Sequence, residues 1–334
     1  MLNIGVIGCG AIGRDHSRRL HDLVPGCQVI ACSDYLEEAA RKTAAQYEGL
    51  RAYATGEELI AAPEVHAVLI ASSDPSHAGY VLECLKHGKY VFCEKPLAQN
   101  ADDCEKIIQA ECAQGKRLVQ VGFMRRYDRG YAEMKRIIDS GELGAPLMIH
   151  ACHRNVSQPD GFQTEMGVSN VAIHELDICR WLLSDEYSSG QVLKVRQSAC
   201  STKGYDNPQI VLLETQSGAR IDVEVQVADA YGYDIQCQVV CAKGTVNLPD
   251  PYAVVKRANA TRSFPILTDW KDRFIEAYDI ELTEWIKSLA AGGPTGPSAW
   301  DGYAACVAAD ALNRSRGTGQ FLPITMMDKP SLYK

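Results

Sequence analysis

The stretch SNVAIHELDICRWL, Ser169 to Leu182, carries two stripes. Val171, Ile178, Trp181 and Leu182 recur at the spacing of one buried helical face. Asn170, His174 and Asp177, at i, i+4 and i+7, form a second stripe that is polar. An imidazole in such a place is either a proton acceptor aimed into a cleft or an ordinary histidine on a wetted helix side. The chemistry available elsewhere in the chain decides between them.

A dinucleotide signature stands at the front. In GVIGCGAIGRDH, the pattern Gly8-x-Gly10-x-x-Gly13 falls between a first apolar run and a first helix. Gly8 permits a tight turn, Gly10 lets backbone approach a pyrophosphate, and Gly13 lets the helix pack close to a sheet. The amides of Ala11, Ile12 and Gly13 at the helix N-terminus then face the phosphates. The next apolar run ends at Asp34, roughly 20 residues past the loop, where a carboxylate accepts from the adenosine ribose hydroxyls and repels a 2′-phosphate. That favours NAD over NADP. Capping of the helix YLEEAARK is the structural alternative for Asp34.

Two further strand ends belong to the same argument, because ligands of such sheets bind outside the strands' carboxyl ends. ASSDPSHAGYV offers Ser72, Ser73 and Asp74 as lining for a cofactor cleft or as plain helix caps, with His77 in the first turn of the helix that follows. YVFCEKPLA closes a buried run with Glu94-Lys95-Pro96. Pro96 biases Lys95 toward an extended conformation, which presents the ammonium at the nicotinamide end of a bound dinucleotide. Beside a positive nicotinamide ring its pKa would fall, suiting a group that shares an alcohol proton while hydride leaves carbon. A strand-end lysine facing water is the plain alternative.

The elements that must hold these residues read in two halves. Up to about Val121, the apolar runs NIGVIG, QVIACSD, AVLIASS, YVFCEK and LVQVGF alternate with helices around 14–23, 36–47, 77–86 and 102–114. That alternation is the signature of a parallel sheet covered on both faces. Beyond Phe123 come a helix over 131–140, the strand PLMIHACHRN and the helix described first. Mostly alternating strands follow: QIVLLET, ARIDVEVQV, YDIQCQVVCA, TVNL and YAVVKR. Short turns between them predict an antiparallel sheet of hairpins. Helices over 274–291 and 300–316 close the chain around GGPTGP. The expected class is α/β, a doubly wound Rossmann domain over 1–122 and an α+β domain with a large open sheet over 123–334. The helix near 300–316 is a candidate to pack back on the first domain. An open sheet of that size must cover its other face, and self-association is the simplest way.

Bulk properties narrow the classes. A chain of 334 residues suggests two domains, and 46% hydrophobic with 23% charged residues is a soluble globular composition. A net charge of −8, with no basic run beyond Arg125-Arg126, argues against a nucleic-acid surface. The thirteen cysteines are odd in number, lack any C-x-x-C pair and sit inside apolar segments, as Cys32, Cys93, Cys179 and Cys306 do. Buried reduced thiols of a cytoplasmic protein fit better than disulfides or structural zinc, and no metal site is expected. No run approaches 18 apolar residues and no basic leader precedes LNIGVIG, which disfavours membrane spanning and secretion.

Taken together, the glycine loop, Glu94-Lys95-Pro96, GFMRRYDRGY and AIHELDICRWL resemble the glucose–fructose oxidoreductase/inositol dehydrogenase (Gfo/Idh/MocA) family, nearest to its inositol 2-dehydrogenase branch. The likeness runs over nearly the whole chain and is weakest between about Ser184 and Pro265. It implies a Rossmann domain followed by an α/β domain whose sheet builds dimers and tetramers. It implies NAD-dependent oxidation of a polyol such as myo- or scyllo-inositol, with His174 as base and Lys95 polarising the hydroxyl. It also implies Arg125, His153, Asn155, Asp177 and Tyr233 as groups holding the polyol, and Glu94 and Lys95 beside the cofactor. Dull readings stand next to these: surface charge for Arg125, a turn for Asn155, strand packing for Tyr233. An aldose or sugar-derivative dehydrogenase and a non-catalytic dinucleotide-sensing regulator are the other functional readings.

One position departs from the family pattern. An aspartate is usual four residues before the base, and this chain has Asn170. Asparagine can accept a hydrogen bond but brings no charge to raise the histidine's basicity. An active natural variant, a shifted substrate and a weakened enzyme are the three explanations; the first fits the intact remainder of the set.

Overall fold

A computed structural model describes residues 1–158, 160–199, 201, 204–251 and 254–334. They form two compact units. One comprises Met1–Phe123, Tyr278–Cys306 and Met326–Lys334, the other Met124–Ala277 and Val307–Thr325.

In the first unit, strands β1 (Leu2–Ile7), β2 (Cys27–Ser33), β3 (Arg51–Ala52), β4 (Ala67–Ile70), β5 (Tyr90–Glu94) and β6 (Val119–Gly122) pair in the order β3-β2-β1-β4-β5-β6. Every pairing is parallel. The order reverses direction at β1, the switch point of a doubly wound sheet. Helices α1 (Ala11–Asp22), α2 (Glu37–Ala44), α3 (Gly56–Ala61), α4 (His77–Lys86) and α5 (Ala101–Ala113) make the crossovers. Because helices cover both faces, β4 and β6 are buried at every residue, which is why their sequences are continuous apolar runs. Ile4, Val6, Leu20 and Phe92 pack with Leu282, Trp285 and Ile286, so a late helical segment completes this core.

The second unit contains α6 (Arg129–Ser140), β7 (Pro146–Arg154), α7 (Ile173–Leu183), β8 (Tyr187–Lys194), β9 (Gln209–Thr215), β10 (Arg220–Gln226), β11 (Asp234–Cys241) and β12 (Gly244–Asn247). A small hairpin of β13 (Lys256–Ala258) and β14 (Thr261–Ser263) follows, then α8 (Trp270–Ala290) and α9 (Ala299–Ser315), each divided between the two units, and β15 (Leu322–Pro323). The seven-stranded sheet has the order β12-β11-β7-β10-β9-β8-β15. β7 and β10 run parallel and the other described pairs antiparallel, as expected of an open, mainly antiparallel sheet. Burial alternates strictly along β9 and β10, so one face is core and the other open.

Several elements differ from the sequence reading. The helix expected from Ser169 opens with a wide π-type turn over Gly167–Ala172 before α7 begins. β3, α3 and β8 were not anticipated, being short or lacking clear periodicity. α8 starts at Trp270 and holds a non-helical residue, Phe274 (φ −121°, ψ 21°). Of the expected strand YAVVKR, Tyr252 and Ala253 lie outside the described residues, and β13 begins at Lys256. The units divide between Phe123 and Met124, close to the expected residue 122, and divide again inside α8, inside α9 and after Thr325, so neither unit is one continuous segment. None of the described cysteines is in a disulfide. Among the described residues no helix is long and apolar enough to cross a membrane.

Candidate active site

The glycine loop of the first unit is shaped by contacts only glycine allows. Gly8 has φ +99°, and a Cβ on Gly13 would lie 1.9 Å from the Gly8 carbonyl oxygen. The first turn of α1 therefore sits directly on the loop, with Gly10 as its N-cap. A Cβ at Gly10 would meet nothing within 4 Å. The open space there is a cradle for a pyrophosphate over the helix N-terminus, where the amides of Ala11, Ile12 and Gly13 are uncapped by any side chain. Asp34, just past β2, accepts from the Cys9 amide at 2.6 Å through Oδ2 and from the Leu36 amide at 2.8 Å through Oδ1. Each carboxylate oxygen keeps lone-pair capacity for ribose hydroxyls, so the residues present fit NAD. Arg14 donates to the Cys9 carbonyl at 2.7 Å, setting a guanidinium on the same loop. Sequence reasoning passed over it; its position one past Gly13 in the first helical turn was the available signal.

The other strand ends of this unit are tied to one another. His77 is buried, with Nδ1 2.7 Å from the Pro96 carbonyl oxygen and Nε2 3.2 Å from that of Ser72. It links the Ser72 loop to the Lys95-Pro96 loop. Ser72 Oγ lies 2.7 Å from Ser76 Oγ, while the Ser73 carbonyl accepts from Ser76 Oγ at 2.7 Å. Lys95 is half-buried and its peptide bond to Pro96 is cis. Glu94 is turned inward, with Oε1 2.7 Å from His16 Nε2 and Oε2 accepting from the Lys95 amide at 3.2 Å. Its carboxylate ties the end of β5 to His16 of α1. His16 was not singled out, since its partner lies 78 positions away.

In the second unit the expected polyol groups divide into two clusters. Arg125, in a short helical turn over Met124–Tyr127, is buried and ion-paired to Glu175 of α7. His153, near the end of β7, has Nδ1 2.9 Å from Glu175 Oε2 and 3.1 Å from Arg125 Nη2. Its ring lies 6.1 Å, centre to centre, from that of His174 and 5.9 Å from that of Tyr233, which meets it edge-on. Burial alone would push the Glu175 carboxyl up, but Arg125 and His153 against it hold it down to about 2. Burial pushes the Tyr233 hydroxyl up to about 12, so it stays protonated and able to donate. His174 on α7 is itself buried. The structure thus brings together Arg125, His153, His174 and Tyr233, and adds Glu175.

Asp177 belongs to a second pairing. Arg126 grips both its oxygens, through Nε at 2.9 Å to Oδ2 and through Nη2 to Oδ1. The carboxylate expected to bind polyol is committed to a forked ion pair in which Asp177 is almost wholly buried. Asn155 lies just past β7, its backbone paired to Gln226 and Asp229. Asn170 falls inside the π-type turn and is half-buried. Such turns bond i to i+5 and advance less per residue than an α-helix. The four positions from Asn170 to His174 therefore run from the π-type turn into the first turn of α7. Glu175 and Arg126 were missed because each partner is about fifty positions distant; the balanced pairs Arg125-Arg126 and Glu175/Asp177 were the only trace.

Comparison with known proteins bears on both units. Residues 2–123 match the family model described as the oxidoreductase family's NAD-binding Rossmann fold, and residues 135–326 match that family's C-terminal alpha/beta domain. Inositol 2-dehydrogenase of Burkholderia cenocepacia is 52% identical over 335 residues, covering 100% of this chain and 99% of the relative. The enzyme of the same name from Pseudomonas syringae pv. syringae is 52% identical over 333 residues, covering 99% of each. Among solved structures, myo-inositol dehydrogenase of Lactobacillus casei, in complex with NAD(H) and myo-inositol, superposes with a TM-score of 0.97 at 37% identity, covering 100% of both chains.

Proposed function

The chain belongs to the Gfo/Idh/MocA family of oxidoreductases, and from that premise we propose that it oxidises one ring carbon of an inositol, myo-inositol first, to the inosose with NAD as cofactor. The observation that carries this reading is the buried histidine pair, His153 and His174, set among Arg125, Glu175 and Tyr233 in a chain whose glycine loop and Asp34 are built for NAD. The full-length likeness to inositol 2-dehydrogenases supports the substrate class. NAD⁺ bound at the loop supplies the two-electron acceptor. His174 accepts the hydroxyl proton, and Lys95 donates to the same oxygen and lowers the cost of its developing charge. Asn155 and the protonated Tyr233 offer hydrogen bonds to neighbouring hydroxyls, and a ring lacking a matching hydroxyl would leave them unpaired. Asp177 contributes by fixing Arg126. The same reading places the protein in the cytoplasm as a homo-oligomer, a homotetramer built through the open sheet face.

Initial rates of NADH formation test it. Myo- and scyllo-inositol, a panel of aldoses and amino sugars, and NAD⁺ against NADP⁺ are compared side by side. Turnover of an inositol with NAD⁺, strongly preferred over NADP⁺, is expected, and Lys95→Met or His174→Gln lowers kcat by about 10²–10⁴. No turnover on any inositol sinks the substrate assignment. Silence on the whole panel, with NAD still bound, points instead to a dinucleotide-sensing regulator.

A further inference from the structure

Among the groups of this cluster, Glu175 sets its carboxylate against the imidazole of His153. Two arrangements compete at His153 Nδ1. It can accept from Arg125 Nη2 at 3.1 Å or donate its own proton to Glu175 Oε2 at 2.9 Å. An unprotonated Nδ1 would set its lone pair against an ionised carboxylate at that distance. The charge-assisted bond to Glu175 therefore prevails, while Arg125 closes its ion pair on the other oxygen, Oε1. With the proton on Nδ1, the basic nitrogen of His153 is Nε2, on the ring edge away from Glu175. A carboxylate bonded behind an imidazole fixes its tautomer and raises the basicity of the opposite nitrogen. His174 lies on the same helix as Glu175, one residue before it, with its ring centre 6.1 Å from that of His153. Four residues before His174 stands Asn170, which carries no charge.

We propose that His153 is a second proton-accepting group of this site, held by Glu175 and Arg125 as positioning residues, and that it shares with His174 the base function that Asn170 leaves without a carboxylate. The inference rests on the polyol-oxidation reading. In that reaction the carbinol carbon loses hydride to NAD⁺, the O–H electron pair becomes the second bond of the carbonyl, and the proton passes to an imidazole nitrogen. The charged and titratable groups facing His153 among the described residues include Arg125 from the Met124–Tyr127 turn, Glu175 and His174 from α7, and Tyr233 preceding β11. Arg125 opposes a positive ring and Glu175 favours it; Glu175 is the nearer of the two to Nδ1.

The experiment compares wild type, His153→Gln, Asn170→Asp and the double variant, by kcat and KM for myo-inositol with NAD⁺ across pH. Long-range ¹⁵N NMR of the imidazoles, without cofactor or substrate, accompanies it. His153→Gln should lower kcat by about 10²–10³ with a smaller change in KM, the range of a lost general base. Asn170→Asp in that background should recover at least about tenfold of kcat, because it returns a carboxylate ahead of His174. The NMR should show His153 protonated at Nδ1, with the signal altered by Glu175→Gln. If His153→Gln raises KM and leaves kcat, or if Asn170→Asp brings no recovery, His153 is a substrate ligand only and the proposal falls while the polyol reading stands. An Nε2-protonated His153 overturns it whatever the kinetics. A wild type inactive on every polyol removes both together. A wild-type circular-dichroism spectrum and urea-unfolding midpoint for each variant exclude misfolding as the cause of a lost rate.

Discussion

At the scale of single residues, the site turns on which charges are used up before any ligand arrives. Asp177 reads from sequence as a polyol acceptor, yet its oxygens are held by Arg126 in a pair whose side chains are 1% and 11% exposed. Removing one partner of such a pair leaves a charge in a dry environment, which costs about 3–5 kcal/mol. Arg126→Gln should therefore lower urea-unfolding stability by about that much, while Arg126→Gln with Asp177→Asn recovers most of it. If the single variant unfolds like wild type and shows only a raised KM, Asp177 serves the substrate and not the fold. The glycine loop was legible because its chemistry is written in adjacent residues between a strand and a helix. Arg126, Glu175 and His16 were not, because what defines them is a partner brought close only by folding.

Elements decide how those residues are aimed. The Met124–Tyr127 turn, β7 and α7 meet at Glu175, which takes Arg125 on one oxygen and His153 on the other. The sequence reading reached His153 through the family resemblance, and the register sets it opposite Val225 and Ile235 in the sheet. The π-type turn before α7 was not readable, because a wide turn has the same residue types as an α-helix and differs only in its hydrogen-bond step. Glu175 also makes this junction sensitive to acid. Its folded carboxyl lies at about 2 against an ordinary 4.5. A carboxyl depressed on folding contributes stability that is complete above the unfolded value and is lost as pH falls through the folded one. Urea unfolding followed by circular dichroism should thus show wild-type stability falling between pH 4.5 and about 2. Glu175→Gln should be weaker at neutral pH and fall less steeply over that window. Equal slopes for the two proteins would place the acid sensitivity elsewhere.

Over the whole molecule, the largest unexplained feature is the open face of the seven-stranded sheet. Along β9 and β10 the residues alternating with the core are half-exposed, and they are not uniformly polar. Ile210 and Leu212 stand among Glu214, Asp222 and Glu224, with Met148 of β7 and Phe321 exposed nearby. Charged pairs cross the same face, His150 with Asp222 and Arg154 with Glu224 and Asp234. Apolar residues ringed by paired charges suit a self-complementary contact, in which each copy buries the other's Leu212 and Met148 while the charges set the register. A contact of that kind is sensitive to a charge placed at its apolar centre. If the homo-oligomer proposed above forms through this face, Leu212→Asp with Met148→Asp should leave a monomer by light scattering, and NAD binding at the glycine loop should persist, since neither side chain contributes to the first unit. An unchanged mass for the double variant would mean that the copies assemble through another surface, leaving this face to be covered by something other than itself.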